Sequence, residues 1–465
     1  MMMRKKVEDE AITEEAKDWP QILAVILGCL SALTSGLLIS WTSPFMPKIT
    51  QDKVNYDITE DQASYFTALN MAAICIVSPM TISISDSIGR KKAILLTAIP
   101  HSLSWIIKAT STNLYALYAA RFLVGCGDAL QFSSLPIYLG EITTPKVRGI
   151  WGCNMTCSMF LGQFLINVIG AYFSIKETAY ICLIVPVIFV LTFSFMPESP
   201  YFYIIKGRDE EAKESLRWLR RMKNVDKEFN ELQVAIKRQM SESGTWRDLV
   251  MIKSNRSALI AGIFLRVAQL YSGMFAFAAY NQDIFAKSGG SVGPAVSSMI
   301  YMGVSFVLNT LSSVFSSKLG RRKSYVTSSV LASIALLAEA VYFYLEAYQP
   351  DVDLSGVKWF PLADMMAFVL FCSFGIGLLP TLMLSELFSV SVKAKGVCVV
   401  TTIFGLMTVI TNILFYNINL YVGLWASFFL FCGCTMLAAV LVNFLVPETK
   451  GKTLEEIQDI LRGVK

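Results

Sequence analysis

Histidine is almost missing from this chain, since 465 residues contain a single one, His101. Metal centres and hydrolase machinery rely on imidazole, so most schemes of either kind are excluded and no cofactor or metal is expected. Charge is scarce as well. Asp, Glu, Lys and Arg make up 16% of the residues, against roughly 25% in an ordinary soluble domain. The ten cysteines show no metal-ligand spacing such as CxxC. Most of them, among them Cys29, Cys75, Cys182 and Cys398, sit inside apolar runs and read as small hydrophobes. Cys153 and Cys157 read as one helix face rather than a disulfide. No nucleophile–base constellation appears, so the chain does not read as an enzyme. The start, MMMRKKVEDEAITEEAKDWP, lacks the short apolar core and small-residue cleavage site of a secretory signal, so the first hydrophobic segment is expected to remain as a membrane span. A net charge of +5 is too mild to suggest a nucleic-acid partner.

What fills the chain instead is hydrophobic sequence, 54% of the total. A membrane helix needs roughly 20 mostly apolar residues. Six such runs precede a charged centre: Ile22–Trp41, Ala63–Ser85, Ala93–Ala109, Leu114–Tyr138, Ile150–Phe173 and Thr178–Phe195. Six more follow it: Ala258–Phe285, Val296–Ser316, Ser324–Leu345, Phe360–Leu384, Val397–Tyr421 and Leu424–Val446. The chain therefore reads as an all-α membrane protein with twelve transmembrane helices in two six-helix bundles. The expected divisions are a tail at 1–19, a first bundle at 20–200, a helical linker at 201–257, a second bundle at 258–447 and a tail at 448–465. His101 is expected to be buried and hydrogen-bonded, or to lie at the membrane interface.

Most of the 40 Lys and Arg fall before the first span, in the short turns GRKK and KLGRRK, in the charged centre and after Pro447. By the positive-inside rule that face is cytoplasmic, together with both termini. The NxS/T matches fall at Asn154, inside the fifth span, and at Asn255, on the basic side, so no predicted outward loop carries one. The halves also repeat. DSIGRKK (Asp86–Lys92) recurs as SKLGRRK (Ser317–Lys323), GEITTPKVRG as SELFSVSVKAKG, and PESP (Pro197–Pro200) as PETKG, each at the same place in its half. Parallel six-span repeats suggest two rigid bundles rocking about a central site.

These marks, with ARFLVG in the fourth span, WTSPFMP after the first and PETKGKTLEEI near the end, resemble the sugar porter branch of the major facilitator superfamily. The resemblance runs over nearly the whole chain. It is strongest to insect sugar carriers, including the facilitated trehalose transporters. It implies the major facilitator fold, a small-molecule sugar substrate, a monomer in the lipid bilayer and a place in the plasma membrane. It also implies a gating charge network at the cytoplasmic ends. Asp86, Arg90, Glu141, Arg148 and Glu198 would serve the first bundle, and Arg321, Arg322, Glu386, Lys395 and Glu448 the second. Departures from the pattern are Ile82, Ser87, Ser317 and Tyr201, so the second clamp is expected to be the weaker. A solvated basic collar that only sets topology is the alternative.

In this branch the substrate site lies at mid-membrane. The seventh span, QLYSGMFAF, keeps Gln269, Ser272 and Gly273, while Leu270, Tyr271 and Phe275 replace an amide, a leucine and an asparagine. Thr156 stands for a glutamine, Ser305 for an asparagine, Thr381 for a tryptophan, and Gly405 and Thr408 for a tryptophan and an asparagine. Gln163, Asn167, Asn309 and Asn412 are the neighbouring amides that could compensate. Each unmatched sugar hydroxyl in a buried site costs about 1–3 kcal/mol, so the pocket has been rebuilt or the cargo differs. Intramembrane charges are functional candidates by default, and here they are Arg121, Asp128 and Arg266. Asp128 and Arg266 either line the cavity or serve packing, paired with each other or with backbone. Glu339 is expected near the extracellular edge with Glu346. Leu38 occupies the position where proton-linked porters carry an aspartate, which favours gradient-driven transport of a hexose or a disaccharide such as trehalose. A carrier for another organic solute, a proton symporter using Asp128 and a non-transporting sensor are the other readings.

Overall fold

The computed structural model describes residues 17–462, apart from 153, 242–243, 291, 316–319, 350, 390, 450–451 and 453. Most of the N-terminal tail, Cys153, and Ser317 with Lys318 of the second basic turn lie outside those residues, as does the side chain of Ile82. All regular elements among the described residues are helices. In the first half they are α1 (Trp19–Ile39), α2 (Thr42–Gln51), α3 (Glu60–Ile88), α4 (Arg90–Leu96), α5 (Ala98–Thr110), α6 (Leu114–Ile142), α7 (Pro145–Trp151), α8 (Asn154–Tyr172) and α9 (Ile175–Phe193). The charged centre forms α10 (Pro200–Ile205), α11 (Asp209–Arg220), α12 (Asp226–Ser241) and α13 (Trp246–Met251). The second half holds α14 (Lys253–Leu270), α15 (Met274–Lys287), α16 (Pro294–Phe315), α17 (Arg321–Tyr348), α18 (Phe360–Ser373), α19 (Leu379–Leu387), α20 (Lys393–Tyr421), α21 (Leu424–Leu445) and α22 (Leu454–Arg462).

Eleven helices or joined helices among the described residues are long and apolar enough to cross a membrane. The twelfth, α6, has 29 residues, but its apolar run is diluted by Arg121, Asp128 and Gln131. Local chemistry sets many of the ends. Thr59 with Gln62 and Ser174 with Glu177 form reciprocal capping boxes at the starts of α3 and α9. Four expected spans prove to be broken. The first turns at Ser40–Trp41 and continues as α2, the third breaks at Thr97, the seventh at Tyr271–Gly273 and the tenth at Phe374–Leu378. Gly273 adopts φ +83°, and a Cβ there would fall 2.6 Å from the Phe277 ring and 2.7 Å from Phe431. Only glycine suits that turn.

The halves build separate cores. Leu38, Trp41, Phe45, Phe66, Trp105 and Val124 pack on the side of the first bundle away from the basic turns. Ala24, Ile94, Leu135, Tyr138 and Phe193 pack at its basic end. The second bundle has one continuous core in which Phe277 touches Phe368, Phe415, Phe428 and Phe431. Between them, Ile204, Leu216, Val225, Phe229 and Ile236 form a small core of the linker. The linker is moored to both bundles: Ser215 donates to the Glu198 carbonyl and Arg220 to the Ile142 carbonyl, while Gly244 donates to Ser391 O.

Small residues let helices within a bundle approach closely, as expected where lipid provides no hydrophobic drive. α6 lies against α3 at Gly125, where a Cβ would sit 2.6 Å from the Ala73 Cβ and against the Asn70 carbonyl. Gly125→Val therefore overpacks this seam at about 1–3 kcal/mol. We expect a melting temperature in detergent lower by several degrees, measured by scanning fluorimetry, with Gly140→Val, whose Cβ meets nothing, as the neutral control.

Candidate functional site

Two charge clusters sit at the ends of the bundles that carry the basic turns. In the first bundle α4 begins at Gly89, and its free main-chain N–H groups receive the Glu198 carboxylate, with Lys91 N at 2.9 and 3.1 Å from its two oxygens. An acid at a helix N-terminus is favoured by both the orphan N–H groups and the helix dipole. The Arg90 guanidinium pairs with Asp86 at 2.9 Å and with Glu141 at 3.3 Å, and Ser199 donates a short hydrogen bond to Glu141. Burial pushes the Glu198 carboxyl up, while the Lys91 and Ser199 N–H groups and Arg90 pull it down.

The second bundle repeats the main features of this arrangement, while the counterpart of Asp86 is Ser317, outside the described residues. Glu448 accepts from the main-chain nitrogens of Arg321 and Arg322, each at 3.0 Å, at the start of α17. Arg321 pairs with Glu386 at 3.0 Å, and Thr449 donates to Glu386 at 2.5 Å. Thr449 thus does for Glu386 what Ser199 does for Glu141, two hydroxyls that the sequence reading missed. Three members of the expected network sit differently. Arg148 donates to the carbonyls of Gly140 and Thr143, closing the end of α6 rather than meeting a carboxylate. Lys395 donates to Gly244 O and ties the linker to α20. Arg322 takes part through its main chain.

The seventh-span amide is committed. Gln269 Nε2 donates to the carbonyls of Ile376 (3.0 Å) and Gly377 (2.8 Å), exposed where the tenth span breaks, and its Oε1 accepts from Arg266 at 2.9 Å. Gln269 is therefore a strut between α14 and the α18–α19 break, and it has no donor left over for a ligand. The Arg266 guanidinium also lies 4.9 Å from the centre of the Phe404 ring, which packs edge-on against Phe275 at 5.4 Å. Ser272 donates to Gln269 O, Ser305 to Tyr301 O and Thr408 to Phe404 O, so these hydroxyls serve their own helices. Asn309 spends its amino group on Ser305 O. Among the described residues, Thr156, Gln163, Tyr271, Thr381 and Asn412 keep side-chain polar groups with no protein partner.

Arg121 and Asp128 belong to the interior of the first bundle. Arg121 donates to the carbonyls of Leu38 (2.6 Å) and Phe66 (2.8 Å), binding α1 and α3 to α6. Asp128, fully buried, accepts from Ser35 at 2.5 Å and lies 3.2 Å from His101 Nε2. The pairing of Asp128 with Arg266 considered from sequence does not occur, because the two sit in different bundles. Lys108, equally buried, lies over the rings of Trp41 (4.5 Å) and Trp105 (4.8 Å).

A polar knot that sequence reading did not assemble joins the bundles. The hydroxyls of Ser43 of α2 and Ser298 of α16 each lie within hydrogen-bonding distance of the side-chain amides of both Asn167 of α8 and Asn281 of α15, at 2.8 Å (Ser43) and 2.7 Å (Ser298) for Asn167. The Ser298–Asn281 bond is 2.8 Å, and the Ser43–Asn281 bond is shorter still. Thr67 meets the Tyr280 hydroxyl at 3.2 Å, and Tyr416 donates to Asp61 at 2.7 Å. All of these lie in the half of the molecule away from the basic turns. Polar residues inside apolar runs, such as Asn281, were the available signal. Asn281→Ala removes the shared hydrogen-bond partner of two serines, a loss of about 1–3 kcal/mol from the knot. We expect a cysteine placed at Thr67 to react several-fold faster with a membrane-impermeant maleimide in Asn281→Ala than in the parent.

The description "Sugar (and other) transporter" fits residues 22–461. The facilitated trehalose transporter Tret1 of Bombyx mori is 30% identical over 450 residues, covering 97% of this chain and 88% of its own length. The protein of the same name from Polypedilum vanderplanki is also 30% identical, over 96% of this chain and 88% of its own. Among solved structures, the inward open conformation of the xylose transporter XylE from E. coli superposes with TM-score 0.76 at 18% identity, covering 94% of this chain and 98% of that one. The expected two-bundle fold is thereby established, and the chain belongs to the sugar transporter family of the major facilitator superfamily.

Proposed function

We propose that this protein is a facilitative carrier that moves a hexose or a disaccharide such as trehalose by alternating access. It works as a monomer in the plasma membrane with both termini cytoplasmic. The observation that carries the gradient-driven reading is the setting of Arg121. Its guanidinium is satisfied by the carbonyls of Leu38 and Phe66, and the Leu38 side chain holds no proton. Proton-linked members of the branch have an aspartate at that position. The trehalose-transporter names of the relatives support the sugar class.

The substrate would sit between the bundles, at the basic side of the Asn167–Asn281 knot. Thr156 and Gln163 would face it from the first bundle, and Tyr271, Ser305, Asn309, Thr381, Thr408 and Asn412 from the second. Gln269, Ser272 and Phe275 shape the floor rather than bond to the sugar. Amides and hydroxyls both donate and accept, which matches sugar hydroxyls. With the knot made, the site is shut on one face, and the Arg90–Glu141 and Arg321–Glu386 clusters stiffen each bundle where it would open on the other. When the bundles rock, these clusters would close the basic face and the knot would part.

The deciding experiment is uptake and counterflow of radiolabelled hexoses and trehalose into liposomes holding the purified protein. Saturable counterflow without accompanying proton movement is the expected result, and its absence for every sugar tested overturns the cargo. Gln163→Ala and Asn412→Ala should each weaken the half-saturation concentration about tenfold, one lost hydrogen bond apiece. Glu141→Gln and Glu386→Gln should slow transport with unchanged protein in the membrane. Wild-type rates in both exclude a gating role for the clusters.

A further inference from the structure

One pair of buried groups takes no part in the site or the clamps. Glu339, in the middle of α17, is fully buried, and neither of its side-chain oxygens has a donor among the described residues. Asp364, one turn into α18, points at it within hydrogen-bonding reach, and its Oδ2 is buried without a donor. Glu346, expected from sequence to lie beside Glu339, is close enough to act on it electrostatically, and the helix turns Glu339 inward. Among the described residues no basic side chain pairs with either acid. Glu339 feels Asp364 and Glu346, both acidic, while Lys358 is spent near Glu346. Tyr342, on the same helix, is a further titratable side chain that Glu339 acts on.

Two bare carboxylates in contact, Glu339 fully buried and Asp364 partly so, would repel one another with little solvent screening. One proton removes the conflict, since a carboxylic acid donates to its neighbouring carboxylate. We propose that Glu339 and Asp364 form a proton-binding site in the second bundle, holding one shared proton whose release pushes α17 and α18 apart. On release the acid O–H bond breaks, the proton goes to water, and two carboxylates remain.

The site has a route to the centre. α18 is pinned to α17 at its other end by Ser328, which donates to Phe371 O at 2.6 Å and accepts from Ile376 N at 3.2 Å. Ile376 and Gly377 in turn hold Gln269. Spreading the acid pair therefore tilts α18 about Ser328 and shifts the carbonyls that brace the seventh span. The carrier would be protonated for work and slowed by alkali, a pH sensitivity distinct from proton coupling because the proton need not cross.

The test uses the purified full-length protein in lipid nanodiscs. Infrared titration of the parent should show a protonated carboxyl band that disappears on alkalinisation, and Glu339→Gln/Asp364→Asn should lack that band throughout. Asp364→Asn alone should shift the titration of that band, because Glu339 then holds a proton without a carboxylate beside it, and this variant guards against misfolding of the double one. A band unaltered by these substitutions, or no band in the parent, overturns the proposal. Heat protection of the parent by sodium or potassium at fixed pH, lost in the double variant, would also overturn it in favour of a metal-cation site. In liposomes the parent's exchange rate should fall several-fold between about pH 6 and about pH 9, while the double variant stays flat. The infrared readout needs no substrate, so a failed sugar assignment leaves it intact.

Discussion

A polar group in hydrocarbon has to find its partner within the protein, and most of this structure follows from that requirement. Arg121 reaches the carbonyls of Leu38 and Phe66, Asp128 reaches Ser35 and His101, and Lys108 settles over two tryptophan rings. These contacts bind the first, second, third and fourth spans to one another more specifically than apolar packing can. The breaks obey the same rule. Where the tenth span unwinds after Phe374, the freed carbonyls of Ile376 and Gly377 are taken up by Gln269. An amide that would suit a ligand is thereby converted into part of the frame.

The same requirement explains why the two basic ends look alike. A helix that starts at Gly89 or Gly320 exposes main-chain N–H groups, and a carboxylate that follows the last span of the bundle, Glu198 or Glu448, satisfies them. That places the following arginine beside Glu141 or Glu386, whose second oxygen takes a hydroxyl from Ser199 or Thr449. Each cluster is internal to its bundle, so it makes a rigid body. The knot of Ser43, Asn167, Asn281 and Ser298 is the reverse. It joins the bundles through neutral hydrogen bonds, which part at lower cost than buried ion pairs. Rigid bodies joined by breakable ties are what alternating access needs.

Legibility in the sequence divides along this line. The twelve spans, the basic ends and the duplicated marks could be read directly, and the acidic and basic members of the two clusters stand in those marks. Arg148 and Lys395 were assigned to the clusters on charge, yet carbonyls took them. Such carbonyls leave no trace in composition, because every residue has one. Gln269 was read as a ligand group because the resemblance puts a substrate amide at that place in the seventh span, and residue type alone does not distinguish a site from a strut. Ser43 and Asn281 are 238 residues apart, and nothing local ties them together.

The sequence by itself determined how many helices cross the membrane, which ends share a face, and that the chain is two versions of one bundle. Hydropathy, charge placement and repetition are properties of segments, and lipid enforces them segment by segment. Only the tertiary structure decided which polar groups are spent and which remain open. Asp128 goes to His101, Arg266 to Gln269 and Glu339 to Asp364, while Gln163 and Asn412 are left without protein partners. That choice depends on which helices lie side by side and how each is turned, and it is made by packing across the whole bundle.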